Sequence, residues 1–276
     1  LATLLALEAI HRNPTPAAYE TLYAAASDLV PNRNITSTAE QVSDLAWSAD
    51  ATLLAMVQRD GTGGVWRVTD GQQTAMFVNH REERFTSVAL SADNRVALTS
   101  GDNGTLATYD VGSGVRQQTF WLGITEEEDG DGIRGRRPNL IGAHFCLEDR
   151  HAIAVAENAT LYFIELASNQ VIQLSKDETS LGTTCLTSAI NQSGDRLAIA
   201  CDDGSIHLWD LRERKKIARF DGPNQPVYSL SFSPDEQLLM ACPSPPLGSR
   251  IETKSSVYCW NVHSGSSRSF RPREIS

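Results

Sequence analysis

Six histidines, five cysteines and one dense run of carboxylates are the side chains of this 276-residue chain that could do chemistry. The histidines are His11, His80, His144, His151, His207 and His263, and none stands in an H-E-x-x-H or H-x-H spacing. Two imidazoles on one face of an element, the usual start of a zinc site, are therefore not encoded locally. His207 and His263 flank expected strands, where an exposed or hydrogen-bonded imidazole is the simpler reading. Neither a G-x-S-x-G elbow nor a GxxxxGK[ST] phosphate loop occurs. Cys146, Cys185, Cys201, Cys242 and Cys259 each lie in an apolar, strand-like run without a C-x-x-C pair. They read as reduced thiols in the core of a cytoplasmic protein. Asn34, Asn103, Asn158 and Asn191 head N-x-S/T triplets, which are read as chance in turn-rich segments.

The carboxylates gather in one place. Glu126, Glu127, Glu128, Asp129 and Asp131 are followed by Arg134, Arg136 and Arg137. Glu127-x-Asp129-x-Asp131-Gly132 opens like a calcium loop, but the twelfth position, which needs a bidentate Glu, is Pro138. No metal is expected there, and no cofactor elsewhere. A solvated charged loop is one reading; partner recognition by these residues is the functional one. A second insertion, residues 243–254, adds Leu247, Arg250 and Lys254 as further partner-binding candidates. With 24 Lys+Arg against 34 Asp+Glu, the net charge of −10 argues against binding a nucleic-acid backbone or an anionic membrane surface. No apolar run approaches the roughly 18 residues of a spanning helix.

What elements position these residues? Leu1, Leu4, Leu5, Leu7 and Ile10 suit a packed helix, which Asn13-Pro14-Thr15-Pro16 breaks. Thr15 caps a second helix with Pro16 in its first turn, and Tyr19, Leu22, Tyr23, Ala26 and Leu29 give it one apolar stripe up to Pro31. Residues 1–31 are thus expected to form a helical hairpin. From there on the chain repeats. Five segments share one template: an apolar strand, a turn with Asp, a second apolar strand, a tight polar turn, and a third strand ending in a bulky anchor. The anchors Trp66, Tyr109, Ile164, Trp209 and Trp260 are 43, 55, 45 and 51 residues apart. A base period of about 44 with two insertions matches the roughly 40–45 residues of a four-stranded blade.

The repeated segment resembles the WD-repeat family. Trp209-Asp210 is that family's signature dipeptide, and Asp202-Asp203-Gly204-Ser205 precedes it. Ser233-Pro234-Asp235, Ser48-Ala49-Asp50 and Ser91-Ala92-Asp93 resemble its first turn. The Gly-His pair survives only as Asn79-His80 and Gly222-Pro223, so the family's buried His–Asp network is expected to be missing from most blades. The resemblance implies an all-β fold: a WD-repeat β-propeller with five recognisable repeats, at about 33–68, 72–111, 114–166, 170–211 and 215–262, within a domain of residues 32–276. Outer strands are expected at 33–37, 73–78, 115–122, 171–175, 216–220 and 267–271. That is one more than five blades use, and it points to a larger ring, most simply of seven blades. Both insertions follow strands that run the same way, so they should decorate one rim.

Leu4 to Leu29 also resembles the segment that precedes WD repeats in bacterial STAND-type (NACHT/NB-ARC-like) signalling ATPases. This implies a non-catalytic sensor propeller whose partners are a protein ligand and an upstream ATPase domain of the same chain. The alternative is a scaffold subunit of a cytosolic multiprotein complex. A propeller enzyme would need polar residues converging from the innermost strands, which read DLAW, SVAL, AHFC, LTSAI and SLSF and bring only His144.

Overall fold

The fold was derived from a computed structural model, which describes residues 41–78, 84–123, 125–129, 132–174, 184–222, 225–243 and 257–270. The chain divides into two units, residues 1–38 and 39–276, and every described residue belongs to the second. The expected helical hairpin and the expected strand at 33–37 lie outside the described residues.

Five four-stranded antiparallel sheets follow one another, each taking its strands in sequence order. Blade 1 is β1 (Val42–Trp47), β2 (Leu53–Gln58), β3 (Thr62–Arg67) and β4 (Gln73–Val78). Blade 2 is β5 (Phe85–Leu90), β6 (Val96–Gly101), β7 (Thr105–Asp110) and β8 (Arg116–Trp121). A separate two-stranded hairpin comes next, β9 (Thr125–Asp129) and β10 (Gly132–Arg136). Blade 3 is β11 (Leu140–Cys146), β12 (His151–Ala156), β13 (Leu161–Glu165) and β14 (Gln170–Leu174). Blade 4 is β15 (Cys185–Ile190), β16 (Arg196–Cys201), β17 (Ile206–Asp210) and β18 (Lys215–Phe220). Blade 5 is β19 (Val227–Phe232), β20 (Leu238–Pro243), β21 (Val257–Asn261) and β22 (Ser267–Phe270). This is the all-β, WD-repeat propeller architecture. The innermost strands pack side by side in the order β1, β5, β11, β15, β19, whereas β19 and β1 do not pack on each other as these neighbours do.

Why these segments become strands is visible in their burial. The second strands β6, β12 and β16 are buried along nearly their whole length, because a sheet lies against each of their faces. Their sequences ALTSG, AIAVA and LAIAC are accordingly apolar or small throughout rather than alternating. The core is a stack of interblade layers. Blades 1 and 2 share Val57, Val65, Phe77, Val88 and Tyr109. Blades 2 and 3 share Leu98, Leu106, Phe120 and Tyr162. Blades 3 and 4 share Ile153, Phe163, Leu197 and Trp209, and blades 4 and 5 share Leu208, Phe220, Leu239 and Trp260. At a rough 25 cal/mol per Å² of apolar surface withdrawn from water, these layers are the main stabilising term.

One turn chemistry recurs. Between the first two strands, the Ser48 hydroxyl donates to Asp50 (2.7 Å) and accepts the Leu53 amide (2.9 Å). Ser91 does the same with Asp93 and Val96, and Ser233 with Asp235 and Leu238. Asn191 replaces the serine in blade 4 and accepts the Arg196 amide at 2.8 Å. The residue after each Asp adopts a left-handed backbone at Ala51, Asn94 and Glu236, so the Asp and Ser side chains must hold a conformation that non-glycine residues resist. Blade 3 solves the turn differently, with Leu147, Glu148 and Asp149 all at positive φ. Gly222 survives from the expected Gly-His pair for a steric reason: a Cβ there would collide with the Gly204 carbonyl.

Candidate functional site

Three sets of residues could carry function: the polar groups of the innermost strands, the insertion-bearing rim, and the grooves between blades.

On the innermost strands the polar groups stitch neighbouring blades together. Asp44 of β1 accepts the Val88 amide of β5 at 3.0 Å, and Ser87 of β5 accepts the Ala143 amide of β11 at 3.0 Å. The acceptor is the third residue of its strand and the donor the fourth of the next, a repeated register. Blade 3 has Gly142 at the acceptor position and uses the fifth residue instead, His144, whose Nε2 lies 2.9 Å from the Ser188 hydroxyl. A Cβ on residue 142 would run into that hydroxyl. Burial raises the Asp44 carboxyl above its ordinary value although the Val88 and Leu45 amides pull the other way. Burial also depresses His144 to about 4, so its imidazole is neutral near pH 7. His144 and Ser188 have the spacing of a base and a nucleophile. Among the described residues, however, no carboxylate is hydrogen-bonded to the imidazole, and its basicity is too low for an effective base. The pair works as a blade-to-blade bond.

The placement expected for His207 needs correction, as does that for one of the five cysteines, Cys242. His207 does not flank its strand: it sits within β17 at 2% exposure, with Nε2 3.1 Å from the Ser205 hydroxyl and Nδ1 without a partner. The alternation of β17 turns it inward, next to Trp209, whose indole N–H is also unpartnered. The cysteines are free thiols, buried except for Cys242. Burial pushes the Cys146 thiol up to about 12, which makes it a poor nucleophile. Among the described residues no group of His, Cys, Asp and Glu is placed to hold a metal ion.

The acidic insertion is not a loop but a hairpin. Glu127 of β9 is the register partner of Arg134 of β10, Glu126 that of Gly135, and Thr125 that of Arg136. Glu128 pairs with Ile133 and Asp129 with Gly132, so extended backbone stands where a calcium loop would curl. Asp131 lies outside the described residues, as do Leu247, Arg250 and Lys254 of the second insertion. The base of the hairpin is firmly seated. The Arg137 guanidinium stacks over the Trp121 ring at 4.1 Å, and Pro138 is buried. Pro138 lies against Gly104, whose φ of +73° and close neighbours leave no room for a side chain. Asn139 donates to Glu157 at 2.8 Å and accepts its amide in return. Strand direction puts the end of β8, where the hairpin begins, at the same end of the blades as the end of β20, where the second insertion begins.

The grooves were not anticipated from sequence. One of about 700 Å³ lies between blades 4 and 5, lined by Arg196, Ile217, Arg219, Asp221, His263 and Ser264 among others. Its counterpart of about 720 Å³ lies between blades 1 and 2, with Arg67, Thr74, Asn94, Arg95 and Asp110. The two junctions between them are bridged. Gln118 donates to the Leu166 carbonyl across blades 2 and 3, and the Arg214 guanidinium lies 4.4 Å above the Phe163 ring across blades 3 and 4. No local pattern marks these residues, because each groove is made by strands of two different repeats.

Repeated four-stranded blades whose innermost strands are hydrogen-bonded from one to the next define the architecture of a WD-repeat β-propeller. Residues 175–210 and 214–261 match the family model described as WD domain, G-beta repeat. Among curated proteins, the chain is similar to the SIR4-interacting protein SIF2 of Saccharomyces cerevisiae, 21% identical over 56% of this chain and 26% of that one. It is also similar to Pre-mRNA-processing factor 19 homolog 2 of Arabidopsis thaliana, 22% identical over 63% of this chain and 31% of the relative. A WD repeat-containing protein 26 homolog of Drosophila melanogaster is 24% identical over 68% of this chain and 27% of its own length. The chain therefore spans a quarter to a third of these relatives.

Proposed function

We propose that this propeller is a protein-binding scaffold module of a multiprotein assembly, and that it recognises its partner through the rim bearing the β9–β10 hairpin. The observation that carries the reading is the seating of that hairpin: Arg137 on Trp121, Pro138 on Gly104 and Asn139 on Glu157 hold a charged two-stranded projection on a rigid interblade core. Such anchoring reduces the ordering cost of binding. Glu126, Glu127, Glu128, Asp129, Asp131, Arg134, Arg136 and Arg137 supply both signs of charge within a dozen positions, which suits a charged protein surface. Leu247, Arg250 and Lys254 belong to the second insertion, which leaves β20 at the same end of the blades, and are included in the proposal by their sequence alone. The relatives named for an interaction or for pre-mRNA processing support the scaffold reading over a sensor in a signalling ATPase. The sensor reading rests on the sequence of residues 4–29 alone.

The test replaces residues 125–136 with a short Gly-Ser turn. The variant should keep its circular dichroism and melting temperature within a few degrees and lose the partners that co-purify with the native protein. An unchanged partner set with an intact fold overturns the rim as the recognition surface.

A further inference from the structure

The first strand of each blade meets the second at a pair of residues that lies just before a β-bulge. The pairs are Val42 with Gln58, Phe85 with Gly101, Leu140 with Ala156, Cys185 with Cys201, and Val227 with Pro243. In four of them the amide after the second-strand residue donates to the carbonyl before the first-strand residue. These bonds run from Arg59 to Gln41, Asp102 to Arg84, Glu157 to Asn139, and Asp202 to Thr184, the last at 3.0 Å. A pair bounded in this way is a non-hydrogen-bonded one, whose Cα atoms stand about 4.5 Å apart and whose side chains approach most closely. Blade 4 alone fills the position with two thiols. They are hydrogen-bonded to each other and buried in the layer between blades 3 and 4, which also holds Val155, Ala159 and Leu161.

We propose that Cys185 and Cys201 form a redox site, which hydrogen peroxide converts to a cross-strand disulfide. A Cα separation of this size falls within the roughly 4.4–6.8 Å that a disulfide spans, so the bond closes without moving the strands. The step balances. One thiolate attacks a peroxide oxygen and becomes a sulfenic acid, and the departing hydroxide takes up the proton as water. The second thiolate attacks that sulfur and displaces another hydroxide, which leaves as a second water. Two thiols and one hydrogen peroxide thus give one disulfide and two waters. The oxidant has to be small, because Cys185 and Cys201 are both 0% exposed. It has a short path, because Asp202, next to Cys201 at the strand end, is exposed. The hydrogen bond with Cys201 and burial hold the Cys185 thiol above its ordinary value, so the first attack is slow. The second is fast, because the partner sulfur is already in contact. Cys146 lies in the same layer but has His151 opposite it, and Cys259 has Met240 and Arg268. The new bond would tie β15 to β16 across the turn of Asn191, which donates to Glu236 of blade 5 at 3.1 Å. The proposal stands on this pair and does not depend on the rim reading.

The experiment treats the folded protein with hydrogen peroxide, in a Cys242→Ser background that removes the exposed thiol. The product is denatured, alkylated with N-ethylmaleimide and mapped by mass spectrometry without reduction. Of the five thiols, those of Cys146, Cys185, Cys201 and Cys259 then remain. The expected product keeps two of them, with Cys185 linked to Cys201. Oxidation should raise the urea midpoint by about 1 M, since the bond closes a loop of the unfolded chain, and dithiothreitol should reverse the shift. Cys201→Ser should abolish it, and the map of the parent protein decides the matter even if that variant fails to fold. Folded, peroxide-treated protein in which Cys185 and Cys201 are both still alkylated overturns the proposal. So does linkage of either one to Cys146 or Cys259, or a disulfide that forms only in urea.

Discussion

The Ser-x-Asp turn shows how much rests on a few oxygens. The Ser91 hydroxyl is buried at 3% residue exposure, donates to Asp93 at 2.7 Å and accepts the Val96 amide at 2.9 Å. Ser91→Ala removes both bonds and leaves an amide short of a partner, which should cost about 1–2 kcal/mol in urea unfolding. The carboxylates on either side of this picture titrate in opposite senses. Asp93 is held below its ordinary value of 3.8 by the Ser91 hydroxyl and the Arg95 amide, and Asp235 likewise by Ser233 and Gln237. A depressed carboxylate contributes stability above its unfolded value, and this is lost as pH falls through the lowered folded one. Asp44 is raised by burial, so its charged form opposes folding above its raised folded value, and the penalty disappears as pH falls towards 3.8. Asn at position 44 keeps an oxygen for the Val88 amide and cannot ionise. Asp44→Asn should therefore match or exceed the wild type in stability near neutrality, and the difference should vanish on acidification, as followed by urea titrations across the acid range.

Elements were legible where their pattern is local. The outer strands expected at 73–78 and 216–220 are β4 (Gln73–Val78) and β18 (Lys215–Phe220), because alternating apolar residues between polar turns specify a half-buried strand. The hairpin β9–β10 was missed: a run of like charges carries no alternation, and its pairing of Glu127 with Arg134 appears only once the two halves fold back. The blade-to-blade bonds were illegible for the same reason, since Gly142, His144 and Ser188 meet only in the assembled sheets. They can be tested as a set. Gly142→Ala drives a methyl into the Ser188 hydroxyl, which must swing away from His144 at a cost of about 0.5–1.5 kcal/mol. Ser188→Ala removes the obstruction, so the two substitutions should be clearly less than additive in a double-mutant cycle. Additive effects would mean that Gly142 matters for some other reason.

At the scale of the whole molecule, stability comes from face-to-face contact between consecutive sheets, and the first and fifth blades have only one such neighbour among the described residues. Blade 5 shows the difference in its second strand: Leu238, Met240 and Cys242 are exposed on one side while Leu239 and Ala241 are buried on the other. Leaving a large apolar side chain in water rather than in a core forgoes about 1.5–3 kcal/mol. Trp47→Glu should accordingly be neutral within about 0.5 kcal/mol in the 276-residue chain. Urea denaturation of the wild type and the variant checks this. Interior blades behave otherwise. Ala152, Ala154 and Ala156 let blade 3 approach blade 2 closely, and Ala154→Leu should cost about 1–3 kcal/mol through overpacking, as a lowered urea midpoint would show.

The first-turn end of the blades is laced together from one to the next. Asn94 donates to Asp50, the Ala92 amide to Asp149, the Leu147 amide to the Gly194 carbonyl, and the Ser193 amide to Glu236. The hairpin leaves from the other end. At the first-turn end the links run from each blade to the next, whereas the opposite end carries the insertion on a base seated by Asn139 on Glu157 and Pro138 on Gly104. A single added residue in these first turns would break the spacing at two blades at once, whereas the opposite end accommodates a whole two-stranded segment between β8 and β11. A protein engineer would mount a reporter or a new binding loop there, and a lineage diversifying its partners has the same freedom at the same place.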